Sequence, residues 1–123
     1  ANLADSALLD LGRQAAMEKV KPFFAVEPAE DKQAVSAPVG SYQPNAWGVY
    51  DMHGNAAEWT ASADLPYPFR PDDPCHAASD TRKIVRGGSW QQRSDLSRSG
   101  CRLSYQPWQR VFNVGFRVVC MVE

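Results

Sequence analysis

Apolar residues in this chain arrive in short bursts divided by proline and glycine, a spacing that forbids long regular elements over most of its length. The segment ADLPYPFRPDDPCHAASDTR, 63–82, holds four prolines and no amphipathic period, so it reads as a long surface loop. In compact domains a loop beyond ~12–15 residues usually carries function or disorder rather than filler. Residues 25–36 are polar and Pro-interrupted and read the same way. A helical period is carried only by 5–21, where Leu8, Leu11, Ala15 and Met17 to Val20 recur at three- and four-residue steps. Asp5 is its expected N-cap and Pro22 its stop, with Gly12 weakening the middle. Brief β-type stretches are expected at Ser41–Tyr42, Gly48–Tyr50, Glu58–Thr60, Lys83–Arg86 and Gly115–Met121, and one or two helical turns at Ser94–Gly100, capped by Ser94. The expected class is a loop-rich α+β structure whose remaining core partners lie elsewhere.

Composition removes several functions. Apolar residues make up 44 % of the 123 positions, which argues against disorder. Net charge is −1, from 13 basic and 14 acidic side chains, so there is no electrostatic footprint for nucleic acid and no polybasic membrane anchor. No apolar run approaches the ~20 residues of a spanning helix. Cys75, Cys101 and Cys120 are three, too widely spaced for a CxxC redox or zinc unit. They read either as small buried hydrophobes or as partners for a cysteine in another segment.

Two dense stretches could carry chemistry. The first is PNAWGVYDMHGNAAEWT, 44–60, where Asp51, Asn55 and Glu58 gather side-chain oxygens around a glycine turn between aromatic anchors. Either the oxygens serve a hard cation such as Ca²⁺, which takes 6–8 of them, or Asp and Asn simply satisfy nearby amides. The second is VRGGSW, 85–90, followed by Cys101–Arg102 and NVGFRVV, 113–119. Its Gly-Gly pair permits positive φ or close backbone approach, but no helix-opening GK[ST] follows, so it is not a phosphate loop. Arg86, Arg102 and Arg117 read either as a carboxylate-binding cluster or as braces on loop carbonyls. His53 and His76 are the only histidines, which excludes a three-His metal centre from this chain alone. Ser89 lies in GGSW rather than a G-x-S-x-G elbow.

Taken in order, ANLAD at 1–5, SAPVGSYQPNAWGVYDMHGNAAEWT at 36–60, VRGGSW and NVGFRVV resemble the second half of the formylglycine-generating enzyme, or sulfatase-modifying factor, family domain. That family also includes ergothioneine-forming sulfoxide synthases and pyoverdine-maturation proteins. The resemblance implies a C-type-lectin-like, irregular α+β fold with little regular secondary structure, of which 1–123 would be the C-terminal half. It implies calcium held by the side chains of Asp51 and Glu58 and the carbonyls of Gly54 and Ala56. A second calcium site would map to Asn2, Leu3, Asp31 and Gln33, where the family's Asp-Gly-aromatic has become Asp31-Lys32-Gln33.

The enzyme's two copper-binding cysteines have no counterpart. They would fall near Gln92 and Ser97, and the one cysteine in that region, Cys101, lies in SRSGCR. No catalytic residue is therefore assigned. One reading is a calcium-stabilised module that recognises a protein or a small molecule through Tyr105, Trp108 and Arg110, since aromatic and Arg residues anchor such surfaces. The other is half of a non-heme-iron oxidative enzyme resembling the sulfoxide synthases. The length from GGSW to GFR fits that branch, while the expected Trp-Asp pair before the proline is replaced by Ser104-Tyr105, followed by Gln106. Trp47, Trp59, Trp90 and Trp108 are too many for these short strands to cover, and the edges at Lys83–Arg86 and Gly115–Met121 would lack partners. The missing N-terminal half of the domain, or another copy of the chain, is the expected cover.

Overall fold

The computed structural model describes Leu3, Ala4, residues 33–68 and residues 81–121. The expected helix over 5–21, most of the proline-rich loop 63–82, and Cys75 and His76 lie outside the described residues. Within them the regular structure is one four-stranded sheet: β1 (Ala57–Ala63), β2 (Lys83–Arg86), β3 (Leu103–Tyr105) and β4 (Val114–Gly115), in spatial order β3-β2-β1-β4. A single 3₁₀ turn, Ser94–Leu96, joins β2 to β3.

β2 sits inside the sheet because neighbouring residues Ile84 and Val85, each 1 % exposed, are covered on opposite faces. It pairs antiparallel with β1, Glu58 opposite Arg86 and Trp59 opposite Val85, and with β3, Ile84 opposite Ser104. It is therefore no edge: Leu103–Tyr105, too short to carry a readable period, supplies the missing neighbour. Between Trp59 and Ala63 the β1–β2 register shifts, since four steps along β1 match two along β2 from Val85 to Lys83. Thr60 bridges the strands, its hydroxyl donating to Ile84 O at 3.0 Å. Trp59 meets Tyr105 edge-to-face, centroids 6.1 Å apart. β4 runs parallel to β1, with Ala57 opposite Val114 and Glu58 opposite Gly115. The strand expected over Gly115–Met121 is thus confined to Gly115, together with the residue before it, Val114.

The buried apolar residues among those described are mostly small: Ala4, Ala37, Ala57 and Ala63, with Ile84 and Val85 the two larger ones. Trp59 and Trp90 are half-buried, whereas Trp47 and Trp108 are 86 % and 76 % exposed. Phe112, Phe116, Val118, Val119 and Met121 lie open as well. The expected helical turns at Ser94–Gly100 reduce to the 3₁₀ turn, whose N-cap is Arg93 and whose first residue is Ser94.

Candidate functional site

Two glycine loops meet edge to edge beside the sheet. The first, 51–58, needs left-handed backbone at Asp51, Gly54 and Asn55, with φ of 56°, 79° and 64°. Gly and Asn adopt that region cheaply, and Asp tolerates it better than most residues. The second is the Gly87-Gly88 pair, also at positive φ. Gly54 N donates to Gly87 O at 2.9 Å and Trp90 N donates to Asn55 O at 2.9 Å, so each loop satisfies the other's backbone. Asn55 is buried and its amide closes a two-point bond on Ala37: Ala37 N donates to Oδ1 at 2.8 Å, and Nδ2 donates to Ala37 O at 3.1 Å.

Asp51 and Glu58 line one cavity of 620 Å³ together with Ala56, Tyr50, Phe116 and Arg117. The two carboxylates are treated differently. Asp51 accepts from Gly40 N through Oδ2 at 2.8 Å, while its Oδ1 is buried with no hydrogen-bond partner. Glu58 is gripped by Arg117, whose Nε lies 3.1 and 3.0 Å from the two carboxylate oxygens and whose Nη2 lies 2.6 Å from Oε1. The same guanidinium donates to Tyr50 O at 2.9 Å, beside Asp51. Its pKa is raised, chiefly by the hydrogen bond to Glu58, against an opposing effect of burial, with the negative fields of Glu58 and then Asp51 adding to the rise. Three of the four expected calcium positions, Asp51, Ala56 and Glu58, therefore share a cavity wall; Gly54 sits in the same turn. Among the described residues, no group of three His, Cys, Asp or Glu side chains converges anywhere, and this cavity brings together only two carboxylates.

Of the second expected site, Leu3 and Gln33 are described, and Asn2 and Asp31 lie outside the described residues. Of the expected ligand-binding residues, Trp108 and Arg110 are exposed, while Tyr105 is half-buried against Trp59. The arginines prove to be braces on loop carbonyls. Arg86 donates to Ser99 O at 2.7 Å and Arg102 to Leu65 O at 3.0 Å, with the Arg102 guanidinium 4.2 Å above the Tyr67 ring. Arg102 Nη2 also lies 4.0 Å from Asp64 Oδ1, whereas Arg117 is hydrogen-bonded to both oxygens of its carboxylate at 2.6–3.1 Å.

The segment after the Gly-Gly pair carries no thiolate pair. Gln92 donates its backbone N–H to Ser89 O at 2.9 Å. Ser97 is buried, its hydroxyl donating to Arg93 O at 3.3 Å. A Cβ on Gly88 would fall 2.8 Å from Ser97 Cβ, so the absence of a side chain lets this loop close. Cys101, which is half-buried, is a free thiol donating to Asp95 O at 3.2 Å. His53, which the sequence left without a role, ties the 51–58 loop to the end of the 3₁₀ turn: its Nδ1 lies 2.7 Å from Ser97 O. A carbonyl only accepts, so Nδ1 carries the proton.

Against known proteins, the family description "Sulfatase-modifying factor enzyme 1-like domain" matches residues 10–122. The formylglycine-generating enzyme of Streptomyces coelicolor is 34 % identical over 101 residues, covering 77 % of this chain and 32 % of that protein. Hercynine oxygenase of Mycolicibacterium thermoresistibile is 34 % identical over 98 residues, covering 71 % of this chain and 22 % of that protein. Among solved structures, PvdO from Pseudomonas aeruginosa superposes with a TM-score of 0.57 at 30 % identity, over 93 % of this chain and 50 % of its own. The chain thus spans half or less of the proteins it matches. The paired glycine loops, the sparse sheet and these matches have one explanation: the chain belongs to the sulfatase-modifying factor, or formylglycine-generating enzyme, family.

Proposed function

We propose that residues 1–123 form the C-terminal half of a lectin-like family domain that serves as a calcium-stabilised recognition module rather than a copper oxidase. The observation that carries this reading is the cavity that Asp51 and Glu58 line together; the family resemblance, which would put copper-binding thiolates near Gln92 and Ser97, adds that no cysteine pair stands in that region. The cavity suits a cation because Asp51 Oδ1 is an acceptor withdrawn from water with nothing to accept from. Asp51 and Glu58 would hold the ion with the carbonyls of Gly54 and Ala56, and Trp108 and Arg110 would present the recognition face. Bound calcium would supply charge neutralisation for the two carboxylates and a cross-link between the glycine turn and β1.

The apolar strip supports the half-domain reading. Phe116, Val118, Val119 and Met121 are each at least 79 % exposed. Apolar residues at both odd and even positions mark an extension beyond β4 that would be covered on both faces. Its proposed cover is the N-terminal half of the domain, since the chain accounts for 50 % of PvdO and 32 % of the Streptomyces enzyme.

The test uses the full-length protein. Chelation should lower its melting temperature, Glu58→Ala should remove that response, and copper with oxygen should leave a CxPxR peptide thiol unconverted. A chelator-insensitive melt counts against the calcium reading, and formylglycine formation against the non-catalytic one. A second copy of the chain as cover would appear as a dimer in sedimentation.

A second reading is favoured by the 34 % identity to hercynine oxygenase: half of an iron-dependent oxidative enzyme whose metal ligands come from another segment. Stoichiometric iron together with oxygen consumption driven by a thiol substrate would select it.

A further inference from the structure

We propose that Arg117 is a built-in counter-cation that sets the calcium affinity of the cavity low by competing for Glu58, an inference that rests on the calcium reading above.

The two carboxylates of the cavity are in opposite states. Asp51 leaves Oδ1 unclaimed inside the protein, while both oxygens of Glu58 are taken by the fork of Arg117 at 2.6–3.1 Å. A bidentate guanidinium uses the inward-facing lone pairs of a carboxylate, the same pairs a bidentate calcium ligand would offer. Arg117 is also anchored to Tyr50 O at 2.9 Å, so its charge cannot swing away without breaking a second bond. A divalent ion entering the cavity therefore meets a resident positive charge on its own wall, and must share Glu58 or displace it.

The competing charge also has a mechanical address. Arg117 follows β4 by two residues and lies between Phe116 and Val118, both open. Glu58 sits on β1, opposite Gly115. An ion that draws Glu58 away from Arg117 loosens the brace between β1 and the apolar strip. Cation occupancy and the set of that strip become linked quantities.

A simple structural ion pair makes a different prediction. It would lower stability when removed and leave cation affinity unchanged or weakened. The test is calcium titration calorimetry on the full-length protein and on its Arg117→Met and Arg117→Lys variants. The Met variant should bind calcium about tenfold more tightly, because it loses both the rival for Glu58 and the like charge, and the Lys variant should fall between. Wild-type binding with unchanged or weaker affinity in the Met variant overturns the inference and leaves the calcium reading standing. Binding by the Met variant alone supports the inference and defeats calcium stabilisation of the native protein. No binding by either overturns both. Should the Met variant fail to fold, the wild-type Arg117 Nε–H resonance decides: calcium should shift it, and an unmoved signal overturns the proposal.

Discussion

The glycine-loop hub and the strip after β4 lie side by side yet are finished to different degrees. At the hub, Asn55, Gly54, Trp90 and Ala37 satisfy one another through bonds of 2.8–3.1 Å. On the strip, Phe116, Val118, Val119 and Met121 offer their side chains to nothing described. Polar closure within the chain and apolar incompleteness beyond it are what a half-domain should combine. Hydrogen bonds are local and directional, so they can be completed inside one segment, whereas apolar area must wait for the segment that covers it.

The sharpest way to break the contrast is at the hub. Gly88→Ala combines positive φ with a collision against Ser97, and should cost about 2–4 kcal/mol. Chemical denaturation measures it, and a loss below about 1 kcal/mol would mean that the loops are not the rigid element they appear in the hydrogen bonding. Next comes the strip. If the other half of the domain covers it, Phe116→Ser in the full-length protein should cost about 2 kcal/mol, against nearly nothing for a residue that stays in water. A neutral result would remove the assigned cover. The smallest effect belongs to Trp108→Ala, expected within about 0.5 kcal/mol because the ring is exposed. Its consequence should instead appear as lost ligand or partner binding once a binder is known, and a large loss of stability would make Trp108 a packing residue.

Legibility followed the range of the interaction. β2 could be read from Ile84-Val85 ahead of the Gly-Gly pair, because an apolar β-branched dipeptide beside a breaker is a local signal. β3 could not, since Leu103-Ser104-Tyr105 becomes a strand only by pairing with β2. The oxygen-rich turn was visible because Asp51, Asn55 and Glu58 fall within eight residues. The grip of Arg117 on Glu58 crosses a separation of 59 residues, and three arginines looked alike until the fold singled out the one hydrogen-bonded to both oxygens of a carboxylate. Ser94 misled as a cap, because a three-residue 3₁₀ turn leaves little helix for a side chain to cap.

The parallel pairing of β1 with β4 has a kinetic consequence. Antiparallel β1–β2 and β2–β3 contacts join residues about twenty to thirty positions apart, whereas Ala57 meets Val114 only after a far longer loop has closed. Long-range parallel contacts of this kind are made late, after the transition state has committed the shorter pairings. Weakening them with Val114→Ala should therefore speed unfolding while leaving the refolding rate nearly unchanged. Stopped-flow chevrons of the full-length protein would show it, and a slowed refolding arm would place the β1–β4 ladder in the nucleus instead. With only the unfolding arm moved, the ladder that carries Glu58 acts as a catch on the native state, setting how long the fold lasts rather than how fast it forms.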